Sequence, residues 1–345
     1  MSPGIPRIDL ASGYSISRLL KGGWQLAGGH GAIDRSVALD DMDRFVEAGI
    51  TTFDCADIYT GVEALIGELI RERSAKDRIQ VHTKYVPDLG TLRTVNKAGV
   101  EAAIDRSRSR LGVERLDLVQ LHWWDYDIPR YVDVARWLDE CRRAGQIAHL
   151  GVTNFDVPRL REIIDAGVPV RSHQVQYSVL DRRPASGMAA LCEATGIRLL
   201  CYGGLCGGFL SERYLGHPPP TPPLDNRSLV KYRLIIEEFG GWERFQRMLR
   251  VLHDIAGRHG VTIGVVALRW LLDRPHVAGV IVGARHSGHL IDLQRVPALV
   301  LTEQDRIQIA EVHVGAPGPS GDVYDLERIK GGTHASIMRY TVNTG

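Results

Sequence analysis

The sequence predicts an α/β protein built as one closed (β/α)₈ TIM barrel, with a long loop after its seventh strand and a C-terminal extension. Eight short, β-rich apolar runs alternate strictly with eight amphipathic helical patterns, and a closed barrel is the economical way to pack that order. The runs are continuously apolar rather than alternating, as suits strands covered on both faces. The competing architecture, a doubly wound open sheet, usually announces a GxGxxG loop straight after its first strand. Here GGWQLAGGHG (22–31) stands in that place and does not fit.

The strand runs are Leu19–Leu20 leading into KGGWQLA, then 50–54, 78–84, 116–122, 147–154, 172–177, 197–202 and 277–284. Between them the first helix is expected over about 36–48, with Ser36 as N-cap and Gly49 as its stop. The second carries Val62, Leu65, Ile66, Leu69 and Ile70 on one stripe, and the third Val100, Ile104 and Leu111 before Gly112. The fourth carries Val134, Leu138 and Cys141, with Gly145 beyond its end. The fifth follows Asp156, and the sixth holds Met188, Leu191 and Cys192. Phe245, Met248, Leu249, Leu252, Ile255 and Ala256 recur at spacings of three and four in the seventh, closed by Gly260. The eighth follows Thr302, with Asp305 at capping-box spacing.

Two segments escape the alternation. Residues 203–241 form an insertion containing GHPPPTPPLDN, whose prolines cannot form a helix or a central strand. Residues 315–345 form a tail. The whole chain, 1–345, is expected as a single domain, with the barrel over about 15–312 and the tail over about 315–345.

Composition bounds the partners. The 345 residues hold 42 Lys+Arg against 41 Asp+Glu, a formal net charge of +1. No large one-signed field is available to attract nucleic acid or an acidic membrane. The five cysteines are odd in number and lack a CxxC pair, so neither a disulfide framework nor a metal site is expected. MSPGIPRIDL has no signal-peptide pattern, and no apolar run approaches 18 residues. A cytoplasmic protein is expected, with its oligomeric state open.

In a barrel, polar side chains at the C-terminal strand ends point into the active site. Those ends present Asp54, Lys84, His122, Asn154 and Gln174, and Tyr59 lies five residues after Asp54. Singly, each has an ordinary structural role as a cap, a core hydrogen-bonding group or a packing ring. Together they make a specific chemistry. A Tyr phenol titrates near 10 in model peptides, about three units above neutrality. A neighbouring ammonium stabilises the phenolate, a carboxylate keeps that ammonium charged and fixed, and a neutral His hydrogen-bonds the reacting oxygen. The set protonates a carbonyl oxygen, or deprotonates an alcohol, while a hydride moves at the carbon.

FDCADIYTG, VHTKY, LDLVQLHWWD and GVTNF, in this order and spacing, resemble the signature blocks of the aldo-keto reductase superfamily, over roughly residues 15–310. The resemblance implies an oxidoreductase that binds NADP(H), or less often NAD(H), across the C-terminal face of the barrel. It makes Tyr59 the general acid–base, Lys84 the group that lowers its pKa, Asp54 the partner of Lys84, and His122 the residue that orients substrate. Thr153, Asn154 and Gln174 match the positions that grip the nicotinamide carboxamide, and Tyr202 matches the aromatic that stacks on its ring.

The departures bear on cofactor choice. Gly203, Gly204 and Leu205 replace the Ser-Pro-Leu common after that tyrosine. In GVIVGARHSGHLIDL, the family's adenosine-phosphate segment, Gly283, Ala284, His289 and Leu293 occupy the set positions. The usual Asn is lost, and Arg285 is the obvious guanidinium for a 2′-phosphate. On the substrate side, Trp24 and Trp123 are expected as aromatic walls, ahead of Trp124. His30 and Trp242 are further rim candidates, and Asp125 is read as a cap for the following helix. The expected activity is reduction of an aldehyde or ketone. The same machinery run with NAD⁺ as an alcohol or aldose dehydrogenase is the first alternative. A cofactor-holding regulatory subunit, as in potassium-channel β subunits of this superfamily, is the second.

Overall fold

A computed structural model describes residues 4–28, 31, 33–73, 78–316, 318–338 and 340. Strands β1 (Arg7–Ala11) and β2 (Tyr14–Ser17) form an antiparallel hairpin. Eight parallel strands close the barrel: β3 (Leu19–Gly22), β4 (Thr52–Asp54), β5 (Gln80–Tyr85), β6 (Leu116–His122), β7 (Ile147–Thr153), β8 (Val170–Gln176), β9 (Arg198–Tyr202) and β10 (Val277–Val282), with β10 pairing back onto β3. Each expected apolar run overlaps one of them, with β5 ending one residue later and β8 starting two residues earlier than expected. The hairpin was not anticipated. Its Ile16 joins Leu20, Leu118, Leu200 and Ile281 in one buried cluster. These are inward residues of the barrel, so the hairpin stops the end of the barrel opposite the site. Tyr14 of its second strand reaches His82 Nε2 at 3.1 Å.

The helices are α1 (Arg35–Glu47), α2 (Val62–Glu72), α3 (Lys97–Leu111), α4 (Tyr131–Arg143), α5 (Val157–Asp165), α6 (Gly187–Thr195), α7 (Arg227–Glu238), α8 (Gly241–His259), α9 (Ile263–Leu272), α10 (Leu290–Arg295), α11 (Glu303–His313) and α12 (Asp325–Arg328). Their apolar stripes meet the outer faces of the strands in a single large core.

The cap of α1 is Asp34 rather than Ser36, because its Oδ1 accepts from Val37 N at 3.1 Å. Asp156 caps α5 through Arg159 N at 2.9 Å. Thr302 and Asp305 close a full capping box on α11. Asp125 does not cap α4, which starts at Tyr131: its carboxylate accepts from Asp127 N at 3.0 Å and binds Lys330 at 3.1 Å. The proline run carries no helix, yet the 203–241 insertion ends in α7, which Asn226 caps. Helix α9 was also unanticipated. It is buried on nearly every side against β10 and α8, so it shows no amphipathic stripe. The tail turns back over the mouth of the barrel, where α12 lies.

Candidate active site

Parallel pairing in register brings the strand ends together: Gly22 faces Asp54, Asp54 faces His82, Lys84 faces Gln120, and His122 faces Thr153. Asp54 ends β4, and Lys84 projects from β5 beside it. The Lys84 Nζ donates to Asp54 Oδ1 and Oδ2, both at 2.8 Å, and to Cys55 O at 2.9 Å. Gln174 Nε2 also donates to Asp54 Oδ1, at 2.6 Å. All three side chains are buried, and unpaired charges there would be costly. Burial works against the Lys84 ammonium, but Asp54 more than compensates and its pKa is raised.

Tyr59 sits on the β4–α2 loop, in a turn closed by Val62 N to Tyr59 O at 2.9 Å. The Lys84 Nζ stands 5.2 Å from the centre of its ring. Sequence reasoning expected the phenol to be lowered by Lys84. Lys84 does pull it down, but burial is the larger effect and the phenol is pushed up to about 12. Tyr59 therefore holds its proton at neutral pH.

His122 ends β6 and is 3% exposed. Burial, and then the nearby Arg328 cation, lower it to about 3, so the imidazole is neutral. Its Nδ1 lies 3.3 Å from Thr153 O. A carbonyl can only accept, so Nδ1 carries the hydrogen and Nε2 presents a lone pair. That Nε2 is buried and has no hydrogen-bond partner. A buried polar atom left this way calls for a ligand or a water.

The residues expected at the nicotinamide end also converge. Thr153 Oγ1 and Asn154 N both donate to Gln174 O, at 3.1 and 3.0 Å. Asn154 takes a left-handed backbone at φ 62°. Its Oδ1 accepts from the Tyr202 hydroxyl at 2.9 Å. Gly203 (φ +78°) packs under Tyr232, where a Cβ would come within 2.6 Å of the Tyr232 hydroxyl. Leu205 packs against Gly264 at the start of α9.

At the far end, Gly283 passes so close to Gln25 that a side chain would collide with its amide. Arg285 lies along Gly31, so the loops after β3 and β10 touch. His289 stands exposed at the start of α10. Asp41 of α1, which sequence reasoning passed over, anchors this loop. It accepts from Ser287 N at 3.1 Å, and His286 Nδ1 lies 3.2 Å away.

The aromatic wall differs from expectation. Trp24 is 38% exposed and meets the Tyr59 ring edge-on at 5.2 Å. Trp123, expected on the substrate side, is instead fully buried: its Nε1 donates to Asp125 O and Ile128 O, and its ring packs near Tyr131. The neighbouring side chain turns to the opposite face, so Trp124 meets His122 edge-on at 4.2 Å. Trp242 packs among Phe209, Tyr214 and Phe245, and His30 lies outside the described residues.

The tail supplies side chains that no periodicity could reveal. Tyr324 lies 5.6 Å from His122, and Tyr340 lies 5.2 Å from Trp124. The Lys231 ammonium from α7 stands over the rings of both Tyr202 and Tyr324, at 5.1 and 5.4 Å. Glu327 holds the tail in place through Arg183 at 3.3 Å and Lys231 at 3.5 Å, with Arg183 also paired to Asp181 at 2.7 Å. Burial pushes the Glu327 carboxyl up, but these cations hold it at about 2.

A parallel barrel whose strand ends gather a buried ammonium–carboxylate pair, a protonated phenol and a neutral imidazole defines a barrel oxidoreductase. The chain belongs to the aldo/keto reductase family, whose model matches residues 18–313. It is 34% identical over 260 residues to flagellar radial spoke protein 5 of Chlamydomonas reinhardtii, covering 63% of this chain and about half (49%) of that protein. It is 26% identical over 308 residues to the aldo-keto reductase YhdN of Bacillus subtilis, covering 86% of this chain and 90% of that one. A solved glycerol dehydrogenase from Gluconobacter oxydans shares the fold at 23% identity and a TM-score of 0.76, covering 92% of this chain and 96% of the other. Among the described residues no single helix is long and apolar enough to cross a membrane.

Proposed function

We propose that the protein reduces a small-molecule aldehyde or ketone to an alcohol, with NADP(H) as cofactor and Tyr59 as the general acid. The observation that carries this reading is the buried Lys84–Asp54 pair beside the Tyr59 ring, at the same end of the barrel as a buried His122 nitrogen with no partner. The cofactor fits the residues present. Thr153, Asn154, Gln174 and Tyr202 would hold the nicotinamide end. Gly203, Leu205, Gly283, Arg285 and His289 would line the phosphate and adenosine end. When bound, the nicotinamide supplies the hydride.

The Tyr59 hydroxyl donates a hydrogen bond to the carbonyl oxygen and gives up its proton as that oxygen becomes negative. Lys84, held by Asp54, stabilises the phenolate left behind, and water reprotonates it. The Nε2 lone pair of His122 accepts from the new alcohol hydroxyl and keeps that oxygen beside Tyr59. Gln174 ties the nicotinamide end to Asp54 through its 2.6 Å bond.

A second reading, an NAD-linked alcohol or aldose dehydrogenase using the same residues, is favoured by the adenosine-end loop. Asp41 engages Ser287 and His286 there, and a carboxylate beside that loop disfavours a 2′-phosphate. Fluorescence titration with NADPH and with NADH separates the two. Tight NADPH binding supports the first reading, and tighter NADH binding the second. Tyr59→Phe is expected to keep cofactor affinity and lose at least about 100-fold in carbonyl reduction. Near wild-type turnover by that variant overturns the assignment of the acid.

A further inference from the structure

We infer that Arg110, which lies on α3 outside the strand ends, is a positioning residue for Tyr59: its guanidinium staples the two flanks of the turn that carries the phenol. The effect on reduction rests on the reductase reading above; the staple itself does not.

Tyr59 rides on the segment between β4 and α2. Within that segment the backbone supplies two short-range bonds, Tyr59 N to Ala56 O at 3.0 Å and Val62 N to Tyr59 O at 2.9 Å. The residue that caps α2 is Gly61, in the left-handed region at φ 77°, and no side chain closes the first turn there. Glu63 stands in that first turn, where a carboxylate suits the helix dipole. It is only 1% exposed, so it needs partners.

Those partners come from two other elements. Thr83, the residue before Lys84 on β5, donates from Oγ1 to Glu63 Oε1 at 2.6 Å. Arg110 Nη1 donates to Glu63 Oε2 at 3.3 Å. The same nitrogen donates to Asp57 O at 3.2 Å. One guanidinium thus holds Asp57 and Glu63, on either side of Tyr59. Asp57 is tied in turn to β5 and the residue after it, through Asp57 N to Lys84 O at 3.3 Å and Val86 N to Asp57 Oδ2 at 3.2 Å. Both flanks of the turn are therefore fixed relative to Lys84, whose ammonium stands 5.2 Å from the centre of the Tyr59 ring.

Helix packing delivers Arg110 to this place. Gly67 of α2 lies against the last turn of α3, where a Cβ would come within 2.4 Å of Arg110 O and 2.9 Å of Leu111 O. Contact this close lets a side chain of α3 reach the first turn of α2. The Arg110 side chain is 38% exposed, so a small cation from solvent can take its place once it is shortened.

The test uses full-length variants, with NADPH affinity read by fluorescence titration and single-turnover reduction of propanal and of benzaldehyde read by stopped flow. Arg110→Met is expected to keep NADPH affinity within about twofold and to lose about 10- to 100-fold in rate, the scale of a small misplacement of the acid. Guanidinium chloride at millimolar concentration should restore much of that rate, and sodium chloride at equal ionic strength should not. Arg110→Lys keeps the charge that Glu63 needs but not the planar fork. Its rate should fall between the other two, and it decides the matter if Arg110→Met does not fold. A rate within about twofold of wild type in either folded variant, a matching loss of NADPH affinity, or no restoration by guanidinium overturns the proposal.

A second readout needs no turnover. Hydrogen exchange in the peptide spanning 55–62 should be faster in Arg110→Met than in wild type and slow again when guanidinium is added. Equal exchange in the two shows that there is no staple. If wild type reduces neither aldehyde, the reductase reading fails, and the exchange alone decides whether Arg110 fixes the turn.

Discussion

At the residue scale, Tyr59 shows how burial and charge compete over one proton. The ammonium of Lys84 draws the phenol toward ionisation, but removal from water outweighs it and leaves the group at about 12. A proton donor of that kind stays loaded across the neutral range. Reduction is therefore expected to keep its kcat/KM from about pH 6 to about pH 9, while alcohol oxidation, which needs the phenolate, climbs over the same interval. A tenfold fall in reduction inside that interval, read from a pH-rate profile, contradicts a Tyr59 of this character.

The histidines carry the opposite sign. His82, His122 and His173 are each lowered from 6.5 to about 3, chiefly by burial. Between those values the unfolded chain binds more protons than the folded one, so stability rises with pH. The contribution is complete above about 6.5 and is lost as pH falls toward 3, at up to about 1 kcal/mol per pH unit for each residue. Urea midpoints at pH 7, 5.5 and 4.5 should decrease in that order; a flat series would show that these imidazoles take up protons in the fold.

At the element scale, the helices that were legible are those with one wet and one dry face. The sequence placed α8 through its spacing of three and four, and α11 through Thr302 and Asp305. The capping box at α11 satisfies backbone donors that the first turn leaves open. Thr302→Ala is expected to cost about 1 kcal/mol of unfolding free energy, and Thr302→Ser much less. Chemical denaturation measures both, and an Ala variant as stable as wild type would show that the cap contributes nothing.

Helix α9 escaped the same reading because water touches almost none of it, and periodicity records only a contrast between faces. Trp123 and Trp124 failed for a related reason. Adjacent residues leave a chain on opposite sides, and composition alone could not say which indole faces His122. The hairpin β1–β2 did leave a signal, a short alternation on either side of Gly13, but its role as a plug depends on the barrel it closes.

At the scale of the whole molecule, the tail binds the barrel mouth through charges withdrawn from water. Glu327 neutralises Arg183 and Lys231, which also face Asp181 and the rings of Tyr202 and Tyr324. Removing one member leaves the others buried and uncompensated, a loss of about 3–5 kcal/mol in comparable pairs. Glu327→Leu should lower the denaturation midpoint accordingly and make the tail an early site of limited proteolysis. Unchanged stability together with unchanged cleavage would show that the latch is not closed in solution.

The sequence by itself determined the eight-strand order and the family, and it singled out Asp54, Tyr59, Lys84 and His122 as candidates. Each of these is written locally, in a run of apolar residues, a cap or a short block of fixed spacing. Tertiary structure alone decided which tryptophan faces the imidazole, that burial outweighs Lys84 at Tyr59, and that Tyr324 comes to rest beside His122 from 202 positions away along the chain. Those outcomes depend on distances through space and on exclusion of water, which arise only when the barrel closes and the tail folds across its mouth.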